Sequence, residues 1–93
     1  MADAVAVYTS DTAIHTGKGV LTAVVISTTN ATGVVTTFYD NTSAAAPKIL
    51  EVTCQASSPV VMFFPDALAI RFTTGLYVDV GTGVSVTVWS RQL

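Results

Sequence analysis

Few side chains in the sequence could perform nucleophilic catalysis. His15 is the only histidine, and Ser10, Asp11 and Cys54 are the residues that could act with it. Such chemistry needs a nucleophile, a base and an orienting group within hydrogen-bond reach of one another. The spacing does not favour that arrangement, and the sequence has no G-x-S-x-G run. We therefore interpret His15 as a solvated histidine in a loop and predict that the chain is not an enzyme.

The acidic residues are too dispersed for carboxylate chemistry. A pair for glycoside hydrolysis would have to come from turns and strands that the pattern keeps apart, namely Asp40, Glu51, Asp66 and Asp79. Asp40 and Asn41 with Asp79 could bind calcium, but that ion takes roughly six to eight oxygen ligands. Gly81-Thr82-Gly83 is interpreted as a hairpin turn and not as a phosphate loop, because no helix follows it. We predict no bound metal and no cofactor.

The composition indicates one domain whose surface is partly covered by other protein. The chain has 93 residues, of which 51% are hydrophobic and 11% are charged, whereas soluble domains average about 25% charged residues. Large exposed apolar patches usually mark interfaces. We therefore expect a single domain over residues 1–93 that assembles with neighbouring chains.

The charges limit the choice of partner. The net charge is −2, and the cations are scattered over Lys18, Lys48, Arg71 and Arg91. Phosphate binding needs clustered cations, so nucleic acid is not expected. The uncharged stretch from 19 to 39 is interrupted by threonine, serine and asparagine, which predicts strands and not a membrane span. No secretory signal is expected at the amino terminus, and the single cysteine, Cys54, is interpreted as a small buried hydrophobe.

The elements that position these residues are predicted to be strands. Residues 33–54 read as a hairpin, with Val34, Thr36 and Phe38 on one face of its first arm and a polar turn at 40–43. The second arm, 48–54, has an apolar face at Leu50 and Val52. A loop is predicted at 10–15, and further strands at 4–8, 20–28, 60–64, 67–72, 76–80 and 84–89. Seven or eight such strands fold most naturally as two packed antiparallel sheets.

Two runs carry a resemblance to a known class of proteins. The run GVLTAVVISTTNATGVVTTFYDNTSAAAPKIL, followed by FTTGLYVDVGTGVSVTVWS, resembles small virion proteins of tailed phages. The shared features are the Tyr-Asp-Asn-Thr turn at 39–42, the lysine-led return strand and the Phe-Thr-Thr-Gly-Leu run at 72–76. The resemblance covers about 17–90. The chain departs from the more polar members in its VVMFF run at 60–64 and in Trp89.

The resemblance implies a fold and a role. The fold would be a compact β-sandwich, jelly-roll-like, and the protein would decorate or cement a phage capsid. It would bind across subunits of the major capsid protein on the virion surface, after synthesis in the host cytoplasm. A homotrimer is common for such virion parts, so we expect one here.

Several residues are candidates for the interface that this role needs. Large aromatic side chains on a polar face are common interface anchors, and the terminal strand carries one, although Trp89 could also tuck under a loop. The VVMFF run is either a central strand or a strand with one face buried only in an oligomer. Residues 1–9 could be an arm that adds to a neighbour's sheet or an edge strand of their own domain. The candidates are Val5, Val7, Tyr8, Tyr39, Asp40, Tyr77 and Trp89.

An alternative function remains at this point. The chain could be a carbohydrate- or receptor-binding module of a phage fibre or spike, with Trp89, Tyr39 and Tyr77 as the aromatic contacts. Two of these aromatics on one solvent-facing patch beside Asp40 or Asp79 would favour glycan binding. Burial of the aromatics between chains would favour the decoration role.

Overall fold

The computed structural model describes residues 4–56, 58–65 and 68–93, and these residues form an all-β protein. The prediction of an antiparallel β-sandwich is confirmed. Nine strands are described, more than the seven or eight expected: β1 (Ala4–Tyr8), β2 (Thr12–Thr16), β3 (Gly19–Thr28), β4 (Val34–Tyr39), β5 (Lys48–Cys54), β6 (Val60–Phe63), β7 (Ile70–Phe72), β8 (Gly75–Asp79) and β9 (Val84–Gln92).

The strands form two antiparallel sheets. The five-stranded sheet has the order β1-β9-β3-β6, and β7 also pairs with β3. The four-stranded sheet has the order β2-β8-β4-β5. Strands therefore pair from the two ends of the chain inward: β1 with β9, β2 with β8, β3 with β6 and β7, and β4 with β5. This nested pairing is the strand order of a jelly roll.

The core lies between the two sheets and is built by alternation along each strand. In β9, Val84, Val86 and Val88 are buried while the residues between them are only half-buried. The hairpin of β4 and β5 pairs from Val34 opposite Cys54 to Tyr39 opposite Lys48, as its pattern predicts. Its inward face and β3 supply much of the core, whose largest fully buried side chains are Phe38, Phe72, Leu21, Ile26 and Leu76.

The loop predicted at 10–15 is wrong over most of its length, because β2 begins at Thr12. The Val80 N–H donates a hydrogen bond of 2.8 Å to Asp11 Oδ1, which aligns the start of β2 with β8. The register between these strands then shifts between Ala13 and His15. A short, mostly polar strand with a register shift has no clear period of two in its sequence, which explains why the pattern did not indicate it.

Two other predictions also need correction. The VVMFF run is not a central strand, since β6 pairs only with β3 among the described strands and lies at the edge of its sheet. Gly81-Thr82-Gly83 does form a turn, with the Val84 N–H bonded to the Gly81 carbonyl and with a positive φ at Gly83. It is not a hairpin turn, because β8 and β9 belong to different sheets.

The strand predicted at 67–72 is only partly described. Residues 66 and 67 lie outside the described residues, and β7 covers Ile70–Phe72. The part of the chain that the structure describes contains no helix long and apolar enough to cross a lipid bilayer.

Candidate functional site

The outer face of the five-stranded sheet is lined by apolar side chains. Tyr8, Val60 and Met62 pack on the core together with the buried valines of β9, so the residues that alternate with them point away from it. One outward row, Ser27 of β3 opposite Ser85 of β9, is polar. The eight outward residues next to that row are Val5 and Val7 of β1, Thr87 and Trp89 of β9, Ala23 and Val25 of β3, and Val61 and Phe63 of β6.

The strand register joins these eight residues into two rows, and we name them the apolar face. One row contains Val5, Trp89, Ala23 and Phe63, and the other contains Val7, Thr87, Val25 and Val61. Side chains directly opposite on paired strands have Cβ atoms about 4.5–5.5 Å apart. The eight positions therefore form one continuous patch across four strands.

The exposure of the apolar face is concentrated at its two sides. The exposed fractions are 56% for Val5 and 61% for Val7 on β1, and 54% for Val61 and 72% for Phe63 on β6. Trp89 is half-buried between them, and Ala23 beside it is buried. None of the eight residues is charged. A continuous apolar patch with exposed side chains at both sides is typical of a binding surface.

Tyr8 lies on the opposite side of β1 from Val5 and Val7. It packs against the core, and burial raises the pKa of its hydroxyl. Tyr8 is therefore placed apart from the other β1 candidates and outside the apolar face.

The outer face of the four-stranded sheet is polar and carries two adjacent tyrosines. Tyr39 and Tyr77 are paired across β4 and β8, and their ring centroids are 6.4 Å apart with the planes at 57°. Asp79 follows Tyr77 on the same face, and Asp11 lies next to it at the start of β2. We name Tyr39, Tyr77, Asp79 and Asp11 the tyrosine face.

The charges on the tyrosine face interact with one another. The pKa of Asp79 is raised. The largest cause is desolvation, followed by the charge of Asp11 and a hydrogen bond with Asp11. Desolvation raises the pKa of Tyr77 as well, followed by the negative charges of Asp11 and Asp79. The tyrosine face therefore combines aromatic surface with a pair of closely placed carboxyl groups. Asp11 was not a sequence candidate for this face, since the predicted loop separated it from β8.

Asp40, another interface candidate, is used inside the fold. Its carboxylate accepts hydrogen bonds from the N–H groups of Thr74 at 2.8 Å and Gly75 at 3.3 Å, and from the N–H and hydroxyl of Thr73. Partial desolvation raises the pKa of Asp40, but these hydrogen bonds outweigh it, so the net pKa is lowered. Asp40 thus ties the end of β4 to the connection between β7 and β8.

His15 is held within the sandwich and is not a solvated loop residue, which corrects the interpretation from the sequence. Its Nε2 lies 2.8 Å from the hydroxyl oxygen of Ser90, which is buried in β9, so the contact joins the two sheets. Its ring meets Phe72 edge-on at 5.7 Å. Desolvation lowers the pKa of His15, which favours the neutral ring.

The structure does not bring the candidate catalytic residues together. Cys54 is buried, as predicted, and its thiol points to backbone carbonyls that include Ile26 at 3.5 Å. Asp11 accepts a hydrogen bond from the N–H of Val80, directly after β8, and His15 is paired with Ser90. Among the described residues, no group of three or more histidine, cysteine or acidic side chains could hold a metal ion.

The fold and its surfaces define a jelly-roll β-sandwich with one apolar and one polar outer face. No family model, no curated protein and no solved structure matches the chain.

Proposed function

We propose that this chain is a non-enzymatic virion structural protein that decorates and cements a phage capsid. It would do so on the virion surface by binding across neighbouring subunits of the major capsid protein. The observation that carries the proposal is the apolar face, a continuous uncharged patch across four paired strands. The resemblance of 17–90 to small tailed-phage virion proteins supplies the choice of partner.

Cementing is a mechanical task that burial of this face can perform. Four side chains of the apolar face, Val5, Val7, Val61 and Phe63, are each more than half exposed. Covering them would contribute about 1–2 kcal/mol each, given about 1.5–3 kcal/mol for complete burial of such side chains. A protein that contacts two capsid subunits through one face gains this energy only while both subunits stay in place, so its binding stabilises the shell.

The charges around the apolar face favour a particular kind of capsid surface. Arg71 points outward from β7, since Ile70 and Phe72 on either side of it pack on the core. Its strand position is opposite Val20, one step beyond the apolar face along β3. An apolar capsid surface with a carboxylate at its border would complement this arrangement, because interfaces pair an apolar centre with a charged rim.

The test is sedimentation of the purified protein with expanded, empty phage shells. We expect saturable co-sedimentation of the wild type, and at least tenfold weaker binding of Phe63→Asp, which is about 1.4 kcal/mol. Val35→Asp is the matched control, because Val35 is 47% exposed on the outer face of the other sheet. Absence of wild-type binding would refute the proposal, as would equal binding by Phe63→Asp.

A second candidate function is favoured by one observation on the other sheet. Tyr39 and Tyr77 share a solvent-facing patch beside Asp79, the arrangement expected of a carbohydrate- or receptor-binding module of a phage fibre or spike. Aromatic rings offer flat apolar surface, and carboxylates accept hydrogen bonds from hydroxyl groups. Trp89 lies on the opposite sheet and would not contribute.

A glycan-binding screen tests this second candidate. We expect any sugar bound by the wild type to be lost with Tyr77→Ala and retained with Trp89→Ala. Retention with Tyr77→Ala would exclude the tyrosine face as the glycan site.

A further inference from the structure

The edge strands of the two sheets differ in how well they are protected from pairing with other chains. An edge strand presents unpaired backbone N–H and C=O groups, and natural sheets blunt such edges with charge, proline, irregular register or short length. Here the edges are β1 and, on the opposite side, β6 with β7 in the five-stranded sheet, and β2 and β5 in the four-stranded sheet.

Both edges of the four-stranded sheet carry protective features. β5 follows Pro47 and has an ion pair between Lys48 and Glu51 at 3.0 Å. β2 has a register shift after Ala13. Charge and irregular register each disfavour the addition of another strand.

The edge of the five-stranded sheet formed by β6 and β7 is protected as well. β6 has four residues and lies between Pro59 and Pro65, and β7 has three residues and carries Arg71. Neither strand is long enough to present a regular edge, because the mean strand is about five to six residues.

β1 has none of these features over its described length. Its sequence from Ala4 to Tyr8, AVAVY, contains no charge and no proline. Its pairing with β9 runs without a register shift from Ala4 opposite Ser90 to Tyr8 opposite Val86. Alternating alanine and valine followed by tyrosine suits a strand, so β1 is the one edge whose sequence favours further pairing among those described.

We propose that β1 pairs antiparallel with β1 of a second copy of this chain about a two-fold axis. Two identical edges are complementary under such an axis. The absence of charge on β1 removes like-charge repulsion between the copies, whereas self-pairing of β5 or β7 about its central residue would place Glu51 or Arg71 opposite its own counterpart. The second copy is therefore the occupant that the charge pattern favours.

The pairing would also enlarge the apolar face. A two-fold axis perpendicular to the sheet keeps the outer faces of both copies on the same side, so Val5 and Val7 of the two copies become neighbours. The two apolar faces then form one surface twice as wide. This inference goes beyond the proposed function and holds whatever that surface binds. The proposed pairing of β1 gives a dimer, whereas the resemblance implied a homotrimer.

Molar mass in solution, measured by light scattering over a concentration series, tests the pairing. We expect the wild type to approach twice the monomer mass as concentration rises, and Val7→Lys to weaken dimerisation by about tenfold, because it places two ammonium groups beside the axis. Val61→Lys is the matched control, because Val61 lies in the same row of the apolar face as Val7 but at the opposite edge of the sheet. The Val61→Lys variant should therefore dimerise as the wild type does.

Hydrogen exchange gives a second readout that does not depend on any variant folding. In the wild type, amides of β1 should become more protected as concentration rises, while those of β5 should not change. A monomer at all concentrations, a trimer, or equal weakening by Val7→Lys and Val61→Lys would overturn the pairing. Because these measurements need no shells, their failure is distinct from failure of capsid binding.

Discussion

The two sheets of this protein present outer faces of opposite chemistry, although both are built on the same alternation of inward and outward residues. The four-stranded sheet follows the usual arrangement of a sandwich, with a polar face toward solvent. The five-stranded sheet presents valines, a phenylalanine and a tryptophan instead. The proposed binding by the apolar face would account for this difference.

The charged residues follow the same division, except for Lys48 of β5, which forms an ion pair with Glu51. The described acids belong to the four-stranded sheet or its connections: Asp11 before β2, Asp40 after β4, Glu51 in β5 and Asp79 in β8. Arg71 and Arg91 belong to the five-stranded sheet. The molecule thus has an acidic side and an apolar side bordered by arginine, which would orient it as it approaches a larger surface.

Truncation of the central aromatic residue of the apolar face should have the largest effect. Trp89→Ala is expected to weaken binding to capsid shells by about thirtyfold, or about 2 kcal/mol, as for a typical interface hot spot. Tyr77→Ala, which removes an aromatic ring from the tyrosine face, should change shell binding by less than about twofold. Titration by co-sedimentation measures both. Equal losses of shell binding in the two variants would show that the two faces do not differ in function.

An intermediate effect is expected at Asp40 and concerns stability. Asp40→Asn should lower the free energy of unfolding by about 1–2 kcal/mol at neutral pH, because the hydrogen bonds from Thr73, Thr74 and Gly75 to a charged acceptor become weaker. The lowered pKa of Asp40 means that its stabilisation is present above the unfolded pKa of about 3.9 and is lost as pH falls through the folded pKa.

The difference between Asp40→Asn and the wild type should therefore shrink in acid. Urea denaturation of both proteins at neutral pH and at about pH 3 measures it. A difference that stays constant with pH would mean that the carboxylate charge is not what stabilises this connection.

The smallest effect is expected at Asp79, where removing the charge should raise the stability of the fold, whereas at Asp40 it should lower it. Its raised pKa means that the ionised group is unfavourable in the folded state above the folded pKa, and that this penalty disappears as pH falls below the unfolded value. Asp79→Asn should thus raise stability at neutral pH by about 0.5 kcal/mol, the size of a cross-strand like-charge contact. A loss of stability in urea denaturation would show instead that the carboxylate serves the fold.

The sequence was sufficient for most of the strands, but not for β2 or for the surfaces. Period-two alternation indicated β9 and the hairpin of β4 and β5, and a run that is apolar on both faces indicated β3. The apolar face could not be predicted because it depends on register between distant strands: Val5 beside Trp89, and Ala23 beside Phe63. No local pattern encodes such pairing.

The candidate residues show the same limit. Tyr39 and Tyr77 were chosen for their aromatic side chains, but their contact depends on the pairing of β4 with β8. His15 was assigned to solvent because its partner, Ser90, lies at the other end of the chain. Asp40 was in a turn, as predicted, and only its hydrogen bonds to a remote connection reveal that it stabilises the fold.

The nested pairing of the strands has a consequence for the rate at which the protein folds. Only β4 and β5 are close in sequence, and each further layer closes a longer loop, ending with Ala4 opposite Ser90. Chains dominated by such distant contacts fold in milliseconds to seconds, slower than helical proteins of similar size. The hairpin of β4 and β5 would form the nucleus, and β1 would dock last. Newly made chains would therefore pass through a stage in which the edge of β9 is open.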